Sequence, residues 1–221
     1  MGVAKIEDTD LPVDALPELL SELKRQNVKL VYWFASREHA ESALCSGGLL
    51  NSRVIYTIDL RTTLHTDLSD LSQIESYSSV VPNEALEALA IQSGRYSRFN
   101  LDPAFPQEKF EAMYRKWIQR SVSREIADTV LVIRQQGREV AMVTLGKAAG
   151  TGSVGLIAVD RAFRGRGYGS LLMQAARHWF IAQGFERVNI ITQGKNKESR
   201  SLFERCGYRV DRMEFVHHFW L

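Results

Sequence analysis

The stretch that decides the fold is residues 155–170, GLIAVDRAFRGRGYGS, in which an apolar run leads into arginines and alternate glycines. The apolar run predicts a buried strand, and a helical pattern begins among the glycines. Glycines let the backbone approach an anion closely, and the N–H groups at a helix N-terminus point toward it. Arg164 and Arg166 add fork-shaped donors. The stretch therefore predicts a site for a pyrophosphate group.

The spacing of this stretch excludes two common nucleotide-binding motifs. No Gly-Lys-Ser/Thr follows it, so it is not a Walker loop. Gly165-x-Gly167-x-Gly169 also lacks the GxGxxG spacing of a dinucleotide site. A surface turn of glycine and arginine without a ligand is the structural alternative.

Two motifs resemble those of the GNAT acetyltransferase superfamily. Arg164-x-x-Gly167-x-Gly169 is similar to its acetyl-CoA signature, (Q/R)xxGx(G/A), which lies between a strand and a long helix. Asn196, Phe203 and the pair Gly207-Tyr208 resemble a later motif, an Asn at a helix start followed by an aromatic residue and a Gly-aromatic stop. The resemblance covers about residues 83–221. It implies an α/β fold with a mixed, twisted sheet flanked by helices, and an N-acetyltransferase that uses acetyl-CoA and no metal.

The resemblance also implies which residues bind acetyl-CoA. The backbone of residues 157–159 would bind the pantetheine amides, and an N–H near Val159 would stabilise the oxyanion as a catalytic group. Residues 164–170 would hold the pyrophosphate, Asn196 would reach the pantetheine arm, and Phe203 would pack beside the sulfur. The predicted acetyl-CoA residues are Ile157, Ala158, Val159, Arg164, Gly165, Arg166, Gly167, Tyr168, Gly169, Ser170, Asn196, Ser199 and Phe203.

Direct attack of an amine on a thioester requires two proton movements. Many family members have a Tyr where this chain has Phe203, and that phenol protonates the departing thiolate. The proton donor here could instead be Ser199, Ser201 or a water molecule, or the thiolate could leave unprotonated. For the base we predict His218, with His217 as the other candidate, because an imidazole accepts protons near neutral pH. Adjacent strand residues face opposite sides, so at most one of them lines the acceptor cleft.

The acceptor is suggested by a narrower resemblance. The segment 94–99, Trp117 and the ending 217–221 look like the branch of the family that acetylates amino groups on nucleotide-linked sugars. This implies a nucleotide-linked amino sugar as the substrate, bound by Tyr96, Arg98 and Asn100. A small polyamine, an amino acid or a protein amine is the alternative acceptor, and a non-catalytic acyl-CoA-binding module is the alternative function.

The residues before this region predict a smaller αβ unit. Apolar runs at 28–34 and 53–60 predict strands, with a short helix from Ser36 to Gly47 between them. Residues 61–81, rich in Ser, Thr and Asp, predict a linker. Residues 28–47 also resemble 188–207 in pattern, as a half-copy of the C-terminal domain or by chance. We therefore predict two domains, 1–80 and 81–221.

Composition limits the remaining possibilities. The chain has 221 residues and a net charge of +2, which predicts no general affinity for nucleic acid or for anionic membranes. Its two cysteines, Cys45 and Cys206, form no metal or disulfide pattern and indicate a reducing, cytoplasmic location. The apolar ending 219–221 is either buried internally or exchanged between the subunits of a homodimer.

Overall fold

The computed structural model describes residues 2–38, 48–62 and 70–221. In this part of the chain, strands form one mixed sheet and helices cover its faces, which confirms the predicted α/β fold. The strands are β1 (Gly2–Ile6), β2 (Val28–Ala35), β3 (Gly48–Asp59), β4 (Ile74–Ser76), β5 (Thr129–Gln135), β6 (Arg138–Ala148), β7 (Thr151–Val159), β8 (Arg187–Gln193) and β9 (Arg209–Trp220). The helices are α1 (Leu16–Arg25), α2 (Glu84–Ser93), α3 (Arg98–Leu101), α4 (Gln107–Val122), α5 (Tyr168–Ala182) and α6 (Lys197–Arg205).

The order of strands interleaves the two ends of the chain. It runs β1-β2-β9-β3-β8-β7-β6-β5-β4, so the N-terminal β3 lies between the C-terminal β8 and β9. β3 pairs antiparallel with both of these neighbours. The division into domains 1–80 and 81–221 stays a prediction, and the strands of both parts belong to the same sheet.

Some N-terminal elements differ from expectation. β1 was not predicted, and β4 lies inside the predicted linker, where it pairs with β5 along the edge of the sheet. A strand of only three residues carries too little alternation to be recognised from sequence. Residues 36–38 are not helical, and Ser36 instead bonds Asp10 through its hydroxyl. The rest of the predicted helix, with Cys45, lies outside the described residues.

Apolar side chains pack on both faces of the sheet. α5 packs on one face through Leu172 and Phe180, while α2 and α4 pack on the other through Leu86 and Phe110. β6 is covered on both faces, and its residues from 140 to 145 are all buried. The central strands β6 and β7 therefore lie between two layers of helices.

Candidate active site

The central strands β7 and β8 diverge at their carboxyl ends. They pair in parallel only where residues 152–154 lie beside 188–190. Beyond Val154, β7 continues to Val159 alongside β6, whereas β8 continues alongside β3. A gap therefore opens between two strands that are neighbours in the same sheet.

Backbone donors of β7 face this gap. Val159 lies opposite Ala141 of β6, and the next residue, Asp160, donates its N–H to the Val140 carbonyl at 2.8 Å. Hydrogen-bonded and non-hydrogen-bonded pairs alternate along an antiparallel ladder. The N–H groups of Val159 and Ile157 therefore point away from β6 and into the gap.

A bulge gives β7 the shape that opens the gap. Its register against β6 shifts between Val143 and Leu145, and the Leu156 N–H donates to the Thr144 hydroxyl oxygen at 2.8 Å instead of to a backbone carbonyl. A Cβ on Gly155 would lie 2.6 Å from that oxygen, so any other residue there would force the Thr144 side chain or the strand to shift. Bulges increase local twist, which directs the end of β7 away from β8.

The glycine loop after β7 ends at an uncapped helix N-terminus. Gly165 and Gly167 have φ of 77° and 82°, and no atom lies within 4 Å of a Cβ added to either residue. Gly167 is the N-cap of α5 and supplies no side chain to bond the first N–H groups of the helix. The first N–H with an acceptor at the helix start is that of Leu171, which donates to Gly167. The preceding N–H groups and the helix dipole suit a bound pyrophosphate.

The first cavity, of about 450 Å³, extends from this loop to the gap. Gln92 of α2 lies in its wall, and its side-chain amide donates to the Val159 carbonyl at 2.7 Å. The sequence did not single out Gln92, because nothing in its neighbourhood shows that α2 crosses the end of β7. The predicted acetyl-CoA residues that line this cavity are Ile157, Ala158, Val159, Arg164, Gly165, Gly167, Tyr168, Gly169, Ser170, Asn196 and Ser199.

Two of the predicted acetyl-CoA residues lie elsewhere. Arg166 is exposed, and its guanidinium lies 4.8 Å from the centre of the Phe163 ring. Phe203 is buried against Tyr56, with 5.7 Å between the ring centres, and faces a second cavity. Neither residue lines the first cavity, because Arg166 extends outward from the loop and Phe203 points from α6 toward β3.

The second cavity, of about 300 Å³, lies on the other side of the gap. It shares Ser93, Ile157, Asn196 and Ser199 with the first cavity, so the two spaces meet at the end of β7. Among its described lining residues the charged side chains are Arg53 and Arg98, and there is no Asp, Glu or His. The remaining side chains are polar, aromatic or aliphatic, among them Trp117, which is 37% exposed, and Val154, Leu156 and Val216.

The three residues predicted to bind the acceptor do not lie together. Arg98 lines the second cavity. Tyr96 lines the first, where its hydroxyl donates to Glu198 at 3.3 Å. The Asn100 side chain donates to the Arg95 carbonyl at 2.8 Å and so stabilises its own loop.

The histidines of β9 are both buried. His218 lines neither cavity, and its Nδ1 lies 2.6 Å from a carboxylate oxygen of Asp102, which also accepts a 2.9 Å bond from the Trp220 indole. Burial lowers the pKa of His218 below its ordinary value. His217 packs against Trp33. A base role for His218 stays a prediction, and its contacts favour a role in anchoring the loop that carries Asp102.

The two serines considered as proton donors, Ser199 and Ser201, lie in different surroundings. Ser199 lies where both cavities meet, and its N–H donates to the Asn196 side-chain oxygen at 3.1 Å, which caps α6. Ser201 is exposed and accepts a bond from Arg205. Of the two serines, Ser199 is therefore the one that borders both cavities.

The described ranges, 2–38, 48–62 and 70–221, contain neither a metal-binding cluster nor a membrane-spanning helix. No three His, Cys, Asp or Glu side chains come together there in a group that would hold a metal ion. None of the helices in those ranges has the length and apolar composition needed to cross a membrane.

Residues 95–208, slightly more than half of the chain, match the family described as Acetyltransferase (GNAT) family. The chain belongs to the GNAT acetyltransferase family. This match bears out the family predicted from the glycine loop.

Individual relatives of this GNAT protein match only part of its sequence. It is 26% identical over 147 residues to a dTDP-fucosamine acetyltransferase of Escherichia coli, an alignment that covers 66% of this chain and 62% of the relative. A mycothiol acetyltransferase of Gordonia bronchialis is 39% identical over 57 residues, which cover 26% of this chain and 18% of the relative. The alignments thus span less than two thirds of the length of these relatives.

Solved structures share the fold. A conserved protein of unknown function from Staphylococcus epidermidis has a TM-score of 0.65 at 14% identity, with 96% of this chain and 82% of that chain covered. A GCN5-related N-acetyltransferase from Sphaerobacter thermophilus has a TM-score of 0.58 at 19% identity, with 94% and 68% covered. The shared fold therefore includes the N-terminal strands.

Proposed function

We propose that this GNAT protein transfers the acetyl group of acetyl-CoA to the primary amine of a nucleotide-linked amino sugar. The observation that carries the proposal is the second cavity, which meets the gap at the end of β7 and has arginines as its charged side chains. An acceptor with an anionic part suits this lining. The relative named dTDP-fucosamine acetyltransferase supports the same acceptor class.

The glycine loop and the gap would bind the two ends of acetyl-CoA. The uncapped N–H groups at the start of α5 would donate to its pyrophosphate, and Arg164 lies in the same wall of the first cavity. The N–H of Val159 would donate to the thioester carbonyl oxygen and stabilise the negative charge that develops there. Gln92 fixes the following peptide of β7 by bonding the Val159 carbonyl.

The second cavity would favour the neutral form of the acceptor amine. Arg53 and Arg98 disfavour a nearby ammonium ion, since like charges lower the pKa of an amine. The amine would therefore lose its proton to solvent before it attacks, which requires no basic side chain in the described lining. The same charges attract an anionic group elsewhere on the acceptor and disfavour a polyamine.

The proton for the departing sulfur would come from the junction of the two cavities. Phe203 has no acidic proton, so it cannot replace the tyrosine that many family members use. We propose that the Ser199 hydroxyl at the junction donates its proton to the sulfur and takes up the proton that the attacking nitrogen releases. The Ser93 hydroxyl, also at the junction, already donates to the Ala90 carbonyl at 2.6 Å.

A free-thiol assay tests the proposal. Purified protein with acetyl-CoA is supplied with a dTDP-linked amino sugar, the same amino sugar without its nucleotide, spermidine or a peptide amine. We expect kcat/KM for the nucleotide-linked sugar to exceed the others by at least about 100-fold, because the arginines pair only with its phosphates. A preference for spermidine or the peptide would overturn the acceptor assignment. Acetyl-CoA binding without thiol release for any amine would favour a binding module.

A further inference from the structure

Three cations surround the aromatic ring of Phe34, a residue of β2 that lines the second cavity. The Phe34 ring centre lies 4.7 Å from the Arg53 guanidinium carbon, 5.1 Å from that of Arg98 and 6.0 Å from the Lys5 ammonium. We call Lys5, Arg53 and Arg98 the Phe34 cation cluster. Cations held this close repel one another unless anions accompany them.

Two of the three cations have a carboxylate partner among the described residues. Glu7 pairs with Lys5 at 2.5 Å and Glu214 pairs with Arg53 at 3.2 Å. Arg98 has no carboxylate partner among the described residues, and its Nε is buried without a hydrogen bond there. One positive charge of the cluster is therefore left without a counterion.

Arg98 is held in place by aromatic rings and not by an acid. Its guanidinium carbon lies 4.2 Å from the ring centre of Phe99 and 4.5 Å from that of Tyr32. Burial lowers the pKa of Arg98 to about 10, so the guanidinium is still charged at neutral pH. A charged, stacked and unpaired guanidinium is positioned to bind an anion through its fork of N–H donors.

A third cavity, of about 390 Å³, lies beyond the cluster. It shares Phe34, Arg53 and Arg98 with the second cavity, and its other lining residues come from β1 and the loop after it, from β2 and from β9: Lys5, Ile6, Glu7, Thr9, Tyr32 and Glu214. The two carboxylates among them are those that pair with Lys5 and Arg53. The cluster is thus the common wall of two spaces. The second cavity connects this wall to Ile157 and Ser199 at the gap, where the amine would react.

We propose that the Phe34 cation cluster binds the diphosphate of the acceptor, with the amino sugar in the second cavity and the nucleoside in the third. This inference rests on the proposed function and extends it to the N-terminal strands. β1 and β2 would then recognise the nucleotide carrier, a role separate from acetyl-CoA binding. Arg53 and Arg98 present planar forks, which match pairs of phosphate oxygens.

Calorimetric titration with thymidine 5′-diphosphate tests the subsite. The protein is first saturated with coenzyme A, so that the glycine loop cannot bind the probe. We expect Arg98→Met to weaken probe binding at least tenfold, because the unbranched side chain keeps its contacts with the rings and loses the charge. Arg25→Met is the matched control, since Arg25 lies on α1, pairs with Glu22 and lines none of the three cavities.

A second variant covers the case in which Arg98→Met does not fold. Lys5 lies on the edge strand β1 with 37% of its side chain exposed, so Lys5→Met should fold normally. We expect several-fold weaker binding of thymidine 5′-diphosphate and unchanged coenzyme A affinity. Wild-type probe affinity in folded Arg98→Met, or in Lys5→Met if the first variant is unfolded, would overturn the subsite.

The two proposals fail in different ways. If nucleotide-linked sugars are acetylated and the cluster variants bind the probe normally, the subsite is wrong and the acceptor assignment stands. If the variants lose the probe and only amines without phosphate are acetylated, the subsite stands and the acceptor assignment is wrong.

Discussion

Replacing Gly167 tests whether the loop at the start of α5 binds an anion. Gly167→Glu and Gly167→Gln carry the same backbone strain, roughly 1–2 kcal/mol for a side chain at this positive φ. Nothing lies within 4 Å of the added Cβ, so both side chains extend into open space. A carboxylate about 4 Å from one phosphate charge costs about 4 kcal/mol at an effective dielectric constant of about 20. Glutamate should therefore weaken coenzyme A binding about 1000-fold more than glutamine does.

Calorimetry with coenzyme A at low and high salt measures this difference. Added salt screens the repulsion, so the ratio of the two affinities should shrink as ionic strength rises. Gly137 offers a matched control, because its φ is 78°, its added Cβ meets no atom within 4 Å and it lies in the β5–β6 turn. Equal coenzyme A affinities for the glutamate and glutamine variants of Gly167, or an equal loss in Gly137→Glu, would refute the anion site.

Two further predictions concern the bulge and the buried histidine. Gly155→Ala should destabilise the protein by about 1–3 kcal/mol. Its Cβ would lie 2.6 Å from the Thr144 hydroxyl, so adding Thr144→Ala should cost less than the sum of the two changes. Urea unfolding measures both effects, and strict additivity would contradict the contact. Burial lowers the pKa of His218, so as the pH falls its imidazole is protonated in the unfolded chain before it is protonated in the folded protein. The free energy of unfolding should therefore fall as the pH drops below about 6.5. His218→Gln should reduce that fall in pH-dependent unfolding; an unchanged slope would show that His218 does not cause it.

The loop and helix start after β7 were predictable because their signals are local. A strand, a run of glycines and a helix start follow one another within residues 155–170, and their geometry depends mainly on those residues. Gly165 and Gly167 have the positive φ that such a loop requires. The role of Gln92 was not predictable, since its bond to the Val159 carbonyl joins residues from separate elements.

The burial of His217 and His218 could not be predicted from the alternation of side chains along β9. His217 and His218 do face opposite sides of β9, as predicted, but both sides are covered. Trp33 packs on one, and the loop containing Asp102 packs on the other. Burial of both faces depends on the elements that pack above and below the sheet at β9, which the periodicity of one strand does not reveal.

The sequence by itself determined the family, the mixed α/β fold and the loop that would hold a pyrophosphate, because a contiguous segment carries each of the motifs concerned. Only the tertiary structure decided how the second and third cavities are built. Lys5, Phe34, Arg53 and Arg98 come from separate segments and meet because β3 inserts between β8 and β9 and β2 pairs with β9. Such pairings are set by the packing of the whole sheet, since each strand has the same apolar pattern wherever it is placed.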